Sequence, residues 1–335
     1  MPSNKHFYLR DNEILMASSK LSDKAKLSIL SSKSDNTVDA YESDWDDFVY
    51  WCESRHVDYF PASPETVVNY INDLADHAKA NTISRRISAI SENFNAAGLA
   101  DNPCKSSLVS SALRGIRRLK GTYQQGKTPI LLEDLEDIFK EMESLNLPEI
   151  QLLRDKAILL IGFMGAFRRS EISALMVEDL TFSPQGLEIF VRSSKADQEG
   201  QGAVVAIPYI ENAEFCAVRA VKAWLRYTGT GIKTGPIFRG FTKKMDIRKT
   251  ALSDKSIAEI VKKYVELIGL DPSMYGAHSL RHGFATTAAS FGVEERNIMR
   301  QTRHHSVNMV RRYINEANKF VDNPISTIFN SRRKL

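Results

Sequence analysis

The sequence predicts a two-domain, mainly α-helical protein whose second half also contains a small antiparallel β-sheet. The chain has 335 residues, a usual length for two domains. Glycine (17) and proline (11) are sparse, and most apolar residues recur at the three- and four-residue spacing of helices. Only between residues 180 and 207 does this spacing give way to the alternation that is typical of strands.

Composition argues against several classes of protein. The formal net charge of +4 at pH 7 is too small to indicate nucleic-acid binding by itself. No apolar run reaches the roughly 18 residues of a membrane-spanning helix, and the charged N-terminus does not resemble a signal peptide. The three cysteines are far apart and form no Cys-x-x-Cys pair. We therefore expect a cytoplasmic protein with free thiols and no zinc site.

The distribution of charge is more informative than its sum. Residues 35–76 are predominantly acidic, whereas residues 85–120 are predominantly basic. A small domain with one acidic and one basic surface can orient itself on a polyanion. The alternative, two ordinary solvated surfaces, is equally compatible with the sequence.

The first half of the chain is predicted to form an arm and a helical domain. Residues 1–35 are rich in serine and lysine, which predicts a flexible arm with a short helix near 22–30. Residues that typically begin helices, followed by apolar residues at helical spacing, then predict a helical domain over residues 36–120. Its helices are expected to begin at Thr37, at Pro64 with Ser63 as N-cap, at Asn81 as N-cap, and at Ser106. Residues 121–128 are polar and glycine-bounded, which predicts a linker.

Two segments of the helical domain carry candidate DNA contacts. Short hydroxyls and arginines at a helix start suit phosphates and base edges in a DNA groove, and the helix near Asn81 begins with them. The following helix ends in a run of basic residues. The candidates are Ser84, Arg85, Arg86, Arg114, Arg117, Arg118 and Lys120.

The second half, residues 129–335, is predicted to be a mixed α/β domain. Strands are expected over 187–191 and 203–207, with a third over 180–182. The connection over 192–202 is a flexible hairpin tip that carries Lys195, although a lysine at such a tip is usually only solvated. Helices are expected over 132–142, 152–163, 215–227 and 253–268.

Charged residues appear abruptly where the apolar helix over 152–163 ends. Arg168 and Glu171 are three residues apart, beside a segment that must be buried. A charge in such a place is costly unless it has a partner. Two interpretations remain open, a plain structural ion pair and an acidic group that orients a functional neighbour.

The stretch around which the chain is organised is Gly276–Thr286. His278 and Arg281 are three residues apart, so they share one face of a predicted helix, and Leu280 and Phe284 supply its apolar stripe. A guanidinium beside an imidazole suits a phosphate, because arginine grips two oxygens and histidine moves a proton. The alternative is a surface helix with a solvated arginine.

The last segment places two adjacent histidines, His304 and His305, ahead of Tyr313. Met309, Val310 and Ile314 are expected to pack, which leaves Tyr313 free to point elsewhere. A short tail helix is also expected, with Asn323 as N-cap. Its apolar side would carry Ile325, Ile328 and Phe329.

Each feature is weak alone, but their order resembles that of the tyrosine recombinase (phage integrase) family. As in the catalytic half of that family, the chain contains in this order an Arg-x-x-Glu, a hairpin lysine, a His-x-x-Arg, and a histidine nine residues before a tyrosine. His278–Thr286 is similar to the family's most recognisable motif. The resemblance covers about residues 36–330. It implies the tyrosine recombinase fold: a SAM-like helical core-binding domain, as in Cre-type recombinases, and a mixed α/β catalytic domain with a small antiparallel sheet.

The resemblance also implies a role for each matching residue. Tyr313 would attack the scissile phosphate and form a 3′-phosphotyrosine link. Arg168 and Arg281 would hold the non-bridging oxygens, His278 would assist proton transfer, and His304 would hydrogen-bond the phosphate. Lys195 would protonate the leaving 5′-oxygen, and Glu171 would buttress the site. The nine-residue spacing selects His304 over His305, while Arg303 stands where the family usually has glycine.

The implied activity is site-specific recombination without metal, other cofactor or ATP. Its partner would be double-stranded DNA with inverted-repeat half-sites, bound by a dimer on each site and a tetramer in the synapse. The tail helix would dock on the neighbouring protomer, and the protein would be nucleoid-associated in a bacterium or phage. Two alternatives remain, a type IB topoisomerase-like enzyme and a non-catalytic DNA-binding regulator.

Overall fold

A computed structural model of the chain describes residues 7–11, 21–121, 126–192, 202–229, 233–304, 306–317 and 319, together with 325, 328 and 329. The chain divides into two units, Met1–Gln125 and Gly126–Leu335. The predicted arm and linker lie partly outside the described residues, so their boundaries stay predictions. Within the described ranges, no helix is both long and apolar enough to cross a membrane.

The first unit consists of helices around an aromatic core, in which Trp45, Phe48 and Phe94 are fully buried. The predicted N-cap is confirmed at Ser63, whose hydroxyl accepts the backbone N–H of Thr66 at 3.2 Å. The prediction of Asn81 as N-cap is wrong by two residues. Its helix begins at Ala80, which is buried, so packing rather than a side-chain cap sets the start. The helices are α1 (Tyr8–Asp11), α2 (Asp23–Leu30), α3 (Asp35–Ser54), α4 (Pro64–Ala75), α5 (Ala80–Ala96) and α6 (Ser107–Lys120).

The second unit packs its helices around α8, whose residues from Ala157 to Phe163 are all buried. This burial confirms the apolar helix expected over 152–163. The helices are α7 (Leu132–Ser144), α8 (Glu149–Met164), α9 (Arg169–Ala174), α10 (Ala217–Tyr227), α11 (Asp254–Leu267), α12 (His278–Ser290), α13 (Glu295–Thr302) and α14 (Val307–Ala317).

Two small antiparallel sheets accompany these helices in the described part of the unit. The three predicted strands are confirmed as β1 (Leu180–Phe182), β2 (Gly186–Val191) and β3 (Ala203–Pro208), with Ile189 opposite both Leu180 and Val205. The second sheet, β4 (Arg239–Phe241) with β5 (Ile247–Ala251), is not predicted by the sequence. Four of the five β5 residues are exposed, so the strand has no alternating pattern to detect.

A glycine brings the start of α12 against the beginning of the second unit. The backbone N–H of Ile130 donates to the carbonyl of Ser279 at 3.0 Å. A Cβ at Gly283 would lie 1.7 Å from the carbonyl oxygen of Ile130, so only glycine permits this approach. The contact fixes the helix that carries His278 and Arg281.

Candidate active site

The site is built where the buried helix α8 ends. The last carbonyls of a helix have no partner within it, and the negative end of its dipole favours cations. Side chains from α12 and from the end of α13 supply the missing donors. Gln301 Nε2 donates to the Met164 carbonyl at 2.7 Å, Arg303 Nη1 to that of Gly165 at 3.0 Å, and Arg281 Nη1 to that of Ala166 at 2.8 Å.

Arg281 is a fully buried arginine with unused hydrogen-bonding capacity. The residue is 0% exposed, and its Nε and Nη2 have no hydrogen-bond partner among the described residues. A buried N–H without a partner is costly, so these two nitrogens are arranged for a ligand. The alternative of a surface helix with a solvated arginine is therefore wrong.

Arg168 and Glu171 form a reciprocal pair at the start of α9. The backbone N–H of Arg168 donates to Glu171 Oε2 at 2.8 Å, and its Nη1 donates to Oε1 at 2.7 Å. The carboxylate is buried, whereas Arg168 is partly accessible. The pair thus holds one guanidinium at the edge of the site, close to Arg281.

Arg303 is a third arginine in the same place. Its side chain is 9% exposed, its Nη2 lies 2.8 Å from Glu171 Oε2, and its guanidinium carbon lies 4.8 Å from the centroid of the Phe167 ring. Sequence patterns did not single it out as a site residue. The one available signal was its departure from the family's glycine.

The site carries an excess of buried positive charge. Among the described residues, its centre holds three guanidinium groups and one carboxylate, that of Glu171. Burial alone would raise the pKa of Glu171, but Arg303 and Arg168 outweigh it and hold the pKa below its ordinary value. Burial, with repulsion from Arg168 and Arg303, lowers the pKa of Arg281 to about 9. An anion bound here would relieve that repulsion.

Both described histidines of the predicted set are neutral at pH 7. Desolvation, followed by the charge of Arg281, lowers the pKa of His278 to about 4 and that of His304 to about 3. His278 is nevertheless accessible to solvent, whereas His304 is buried. A neutral imidazole at an accessible position is able to accept a proton from a reacting group.

Thr302 fixes the orientation and tautomer of His304. Its hydroxyl donates to the carbonyl of Ile298 at 2.7 Å and lies 2.7 Å from His304 Nδ1. Because its single proton goes to that carbonyl, the hydroxyl accepts from Nδ1. The neutral ring therefore carries its hydrogen on Nδ1 and its lone pair on Nε2.

Tyr313 lies on α14 and is buried against two histidine rings. Its ring centroid lies 4.7 Å from that of His282 and 5.7 Å from that of His304. Burial raises the pKa of Tyr313 above its ordinary value despite the opposing charge of Arg281, so the phenol needs a base. The expectation that Met309 packs is wrong. Met309 is exposed because the buried face of α14 runs through Val310 and Tyr313.

His282 was not predicted as a site residue, yet it connects Tyr313 to the start of the second unit. Its Nδ1 lies 3.0 Å from the carbonyl of Lys127, and its Nε2 lies 3.4 Å from Glu316 Oε2. Three other predicted positions, Lys195, His305 and Asn323, lie outside the described residues.

In the first unit, the two segments of candidate DNA contacts come together. Arg117 Nη2 on α6 donates to Ser84 Oγ on α5 at 2.9 Å, and Lys120 Nζ donates to the carbonyl of Ala78 at 3.1 Å. Arg114, Arg117, Arg118 and Lys120 are all exposed to solvent. The end of α6 is therefore a basic, accessible surface.

Arg85 and Arg86 instead face the acidic helix α3. Arg85 Nη1 lies 2.6 Å from Oδ2 of the buried Asp44. Arg86 pairs with Asp47 and donates to the hydroxyl of Tyr70 at 2.8 Å. The acidic and basic segments of the sequence are thus partly paired inside the unit and do not form two separate surfaces.

Comparison with known proteins identifies the family. Residues 130–319 match the phage integrase family, and residues 24–98 match the phage integrase N-terminal SAM-like domain. The chain belongs to the phage integrase family. An integrase/recombinase XerD homolog of Selenomonas ruminantium is 52% identical over 335 residues, which cover 98% of this chain and 96% of that protein.

A further relative and a solved structure are also similar to this chain. A tyrosine recombinase XerC of Syntrophus aciditrophicus is 30% identical over 172 residues, 50% of this chain and 52% of that protein. The crystal structure of XerH site-specific recombinase bound to a palindromic difH substrate has the same fold. Its TM-score is 0.65 at 16% identity, over 96% of this chain and 94% of that one.

The tyrosine recombinase is an enzyme of site-specific recombination. The relative that is 52% identical over nearly the whole chain favours this function over a type IB topoisomerase-like enzyme or a non-catalytic regulator. The predicted fold, a helical SAM-like domain followed by a mixed α/β catalytic domain, is confirmed.

Proposed function

We propose that the tyrosine recombinase cuts and rejoins DNA through a covalent 3′-phosphotyrosine intermediate, with Tyr313 as the nucleophile. The phenolic oxygen attacks the scissile phosphorus, so that the Tyr–O–P bond forms as the bond to the 5′-oxygen breaks. The 5′-hydroxyl of a second strand then attacks the phosphotyrosine and reverses the step. The phosphotyrosine retains the energy of the broken bond, and resealing needs no ATP.

The observation that carries this proposal is the buried Arg281, two of whose nitrogens lack a hydrogen-bond partner among the residues that the structure describes, within electrostatic reach of Tyr313. Arg168 and Arg281 hold the non-bridging oxygens of the phosphate. Fixed cations of this kind stabilise the charge of a phosphoryl-transfer transition state as a metal ion does in other enzymes. Neither a metal nor another cofactor is needed for that task.

Two side chains carry out the proton transfers, and two others position the groups that react. His278, neutral at pH 7, takes the phenolic proton of Tyr313. Lys195 gives a proton to the leaving 5′-oxygen, and Glu171 holds Arg168 in place. His304 donates to a phosphate oxygen only after Nε2 gains a proton, which the negative charge of the entering phosphate favours.

The proposed partner is double-stranded DNA with inverted-repeat half-sites, bound by a dimer on each site and a tetramer in the synapse. The XerH neighbour bound to a palindromic substrate supports the dimer on inverted repeats, because a palindrome matches the two-fold symmetry of a dimer. Residues 36–120 would form the core-binding domain, with the basic end of α6 on phosphates, and residues 129–335 the catalytic domain. The chain would act at the nucleoid, where its substrate is.

The test uses Tyr313→Phe. A binding site is first selected from genomic fragments and converted to a nicked suicide duplex. Wild type should form a covalent adduct on denaturing electrophoresis, whereas Tyr313→Phe should bind the duplex equally well and form none. The exposed Tyr227 provides a matched control, since Tyr227→Phe should leave the adduct unchanged.

A surviving adduct in Tyr313→Phe would assign the nucleophile to another residue. Absence of an adduct in wild type, on a duplex that it binds, would contradict the covalent mechanism itself.

A further inference from the structure

We infer that Arg303 is a positioning residue for recombination: it holds Glu171 and the carbonyl of Ala166 where they orient the two phosphate-binding arginines. The inference deepens the proposed function and rests on it. It concerns a residue that stands where the family usually has glycine.

The backbone of Arg303 adopts a conformation that favours glycine. Its φ of 54° and ψ of 43° lie in the left-handed region. Ala166, with φ of 46°, lies in the same region. A hydrogen bond of 3.1 Å from Arg303 Nη2 to the carbonyl of Ala166 joins these two strained residues. Such strain persists only where the surroundings fix it, and it concentrates at functional sites.

The guanidinium of Arg303 ties together three segments of the second unit. Its Nη1 donates at 3.0 Å to the carbonyl of Gly165, after α8, and at 3.0 Å to that of Gln301, on α13. Its Nη2 donates at 2.8 Å to Oε2 of Glu171, on α9. Arg303 thereby fixes the turn before α14 to both ends of the segment that carries Arg168, at Gly165 and at Glu171.

Both phosphate-binding arginines are anchored on acceptors that Arg303 shares. The carbonyl of Ala166 accepts from Arg281 Nη1 at 2.8 Å as well as from Arg303. Oε2 of Glu171 accepts from the backbone of Arg168 as well as from Arg303. Loss of Arg303 would leave each of these acceptors with one donor fewer to hold it in place, and a displacement of about 1 Å in a reacting assembly lowers a rate about 100-fold.

The experiment compares Arg303→Gly, Arg303→Ala and Arg303→Lys with wild type. The control is Arg296→Ala, at an exposed arginine on the preceding helix α13. Single-turnover cleavage of the suicide duplex is measured at saturating enzyme across the pH range in which each protein is folded. The glycine and alanine variants should bind the duplex normally and cleave about 100-fold more slowly. Arg296→Ala should match wild type.

The pH profile separates positioning from a general loss of structure. Among the contacts that lower the pKa of Glu171, the charge of Arg303 makes the largest single contribution, ahead of each contact with Arg168, so this pKa should rise when Arg303 is removed. A carboxylate with a depressed pKa contributes at high pH and is lost as pH falls through that pKa. The acid limb should therefore move to higher pH in the glycine and alanine variants. The acid limb should stay in place in Arg303→Lys, because lysine keeps the positive charge. This variant should still cleave more slowly than wild type, because lysine lacks the planar guanidinium that binds several acceptors at once.

Melting curves of the DNA-free proteins complete the test. The melting temperature of Arg303→Gly should be higher than that of Arg303→Ala, because alanine is strained in the left-handed backbone conformation and glycine is not. Wild-type rates in the glycine variant, or uniform slowing with an unmoved acid limb, would overturn the inference. If wild type forms no adduct, the proposed function fails instead. The dependence of the melting temperature on acid pH then still tests the contact between Arg303 and Glu171. If this dependence is the same in Arg303→Gly as in wild type, the inference is overturned.

Discussion

At the scale of single residues, burial decides what each charged side chain can do. Arg281 is fully buried, and two of its nitrogens have no hydrogen-bond partner in the described part of the chain, whereas Arg169 is exposed and pairs with Asp254 at 2.9 Å. In the sequence, both are arginines beside apolar stretches. Their difference arises from packing between α8, α9 and α12, and no local pattern reveals it.

Arg168→Ala and Arg281→Ala should each slow cleavage steeply. Loss of one preorganised contact to a developing charge costs about 3–4 kcal/mol of transition-state stabilisation, or roughly 10²–10³ in rate. The measurement is single-turnover cleavage of the suicide duplex at saturating enzyme, so that weaker DNA binding does not contribute. Arg169→Ala is the matched control and should cleave at the wild-type rate. A loss of less than about tenfold would show that the arginine in question does not grip the phosphate.

At the scale of elements, sequence signals succeed where the determinants are local. Ser63 and Ser253 each cap the helix that follows, and both starts were predictable from a serine ahead of an apolar stripe. Alternation likewise revealed β2 and β3. The start of α5 was missed because the burial of Ala80 fixes it, and β4 with β5 was missed because neither strand has a buried face to alternate with.

Gly283→Ala should destabilise the second unit. The added methyl would meet a backbone carbonyl, that of Ile130, which cannot turn aside as a side chain does. Overpacking of this kind typically costs about 1–3 kcal/mol and occasionally more, and we expect a loss at the upper end. Scanning calorimetry of the full chain should show a lower melting temperature for the transition of the second unit.

Gly276→Ala is the matched control, since a Cβ there would meet nothing within 4 Å. Its melting temperature should equal that of wild type. Equal melting temperatures for Gly283→Ala and wild type would mean that α12 moves away from Ile130 at little cost.

At the scale of the whole molecule, the order of the chemical groups along the chain was sufficient to predict the family and the fold. Three stretches that are separate in the sequence meet at the end of α8, and they carry Arg168 with Glu171, His278 with Arg281, and His304 with Tyr313. The contribution of Arg303 was not predictable, because its left-handed backbone and its ion pair with Glu171 depend on tertiary contacts. For the same reason, Arg86 was assigned to DNA although its guanidinium pairs with Asp47.

Truncation after Asp322 should leave a protein that folds and binds one half-site but has lost cooperative binding to the second. Ile325, Ile328 and Phe329 are helical in the described part of the tail and are 64%, 57% and 64% exposed. Burial of three such side chains on a neighbouring protomer would contribute about 1.5–3 kcal/mol each before ordering costs. Gel-shift titration of single and paired half-sites measures the effect.

Ile328→Ser keeps the length of the tail and removes one apolar group, so it should weaken cooperativity less than truncation does. Unchanged cooperativity in the truncated chain would reject docking on a second protomer. A collapsed melting temperature would show instead that the tail packs on its own domain.

The pairing of α3 with α5 has a consequence for handling the protein. The side chains of Asp44 and Arg86 are only 4% and 18% exposed, so dissolved ions hardly reach them. The cations at the end of α6 are open to solvent, and their attraction to a phosphate backbone falls steeply as salt rises. Concentrated salt should therefore strip nucleic acid from the purified chain without loosening the first unit, and dilution should restore binding.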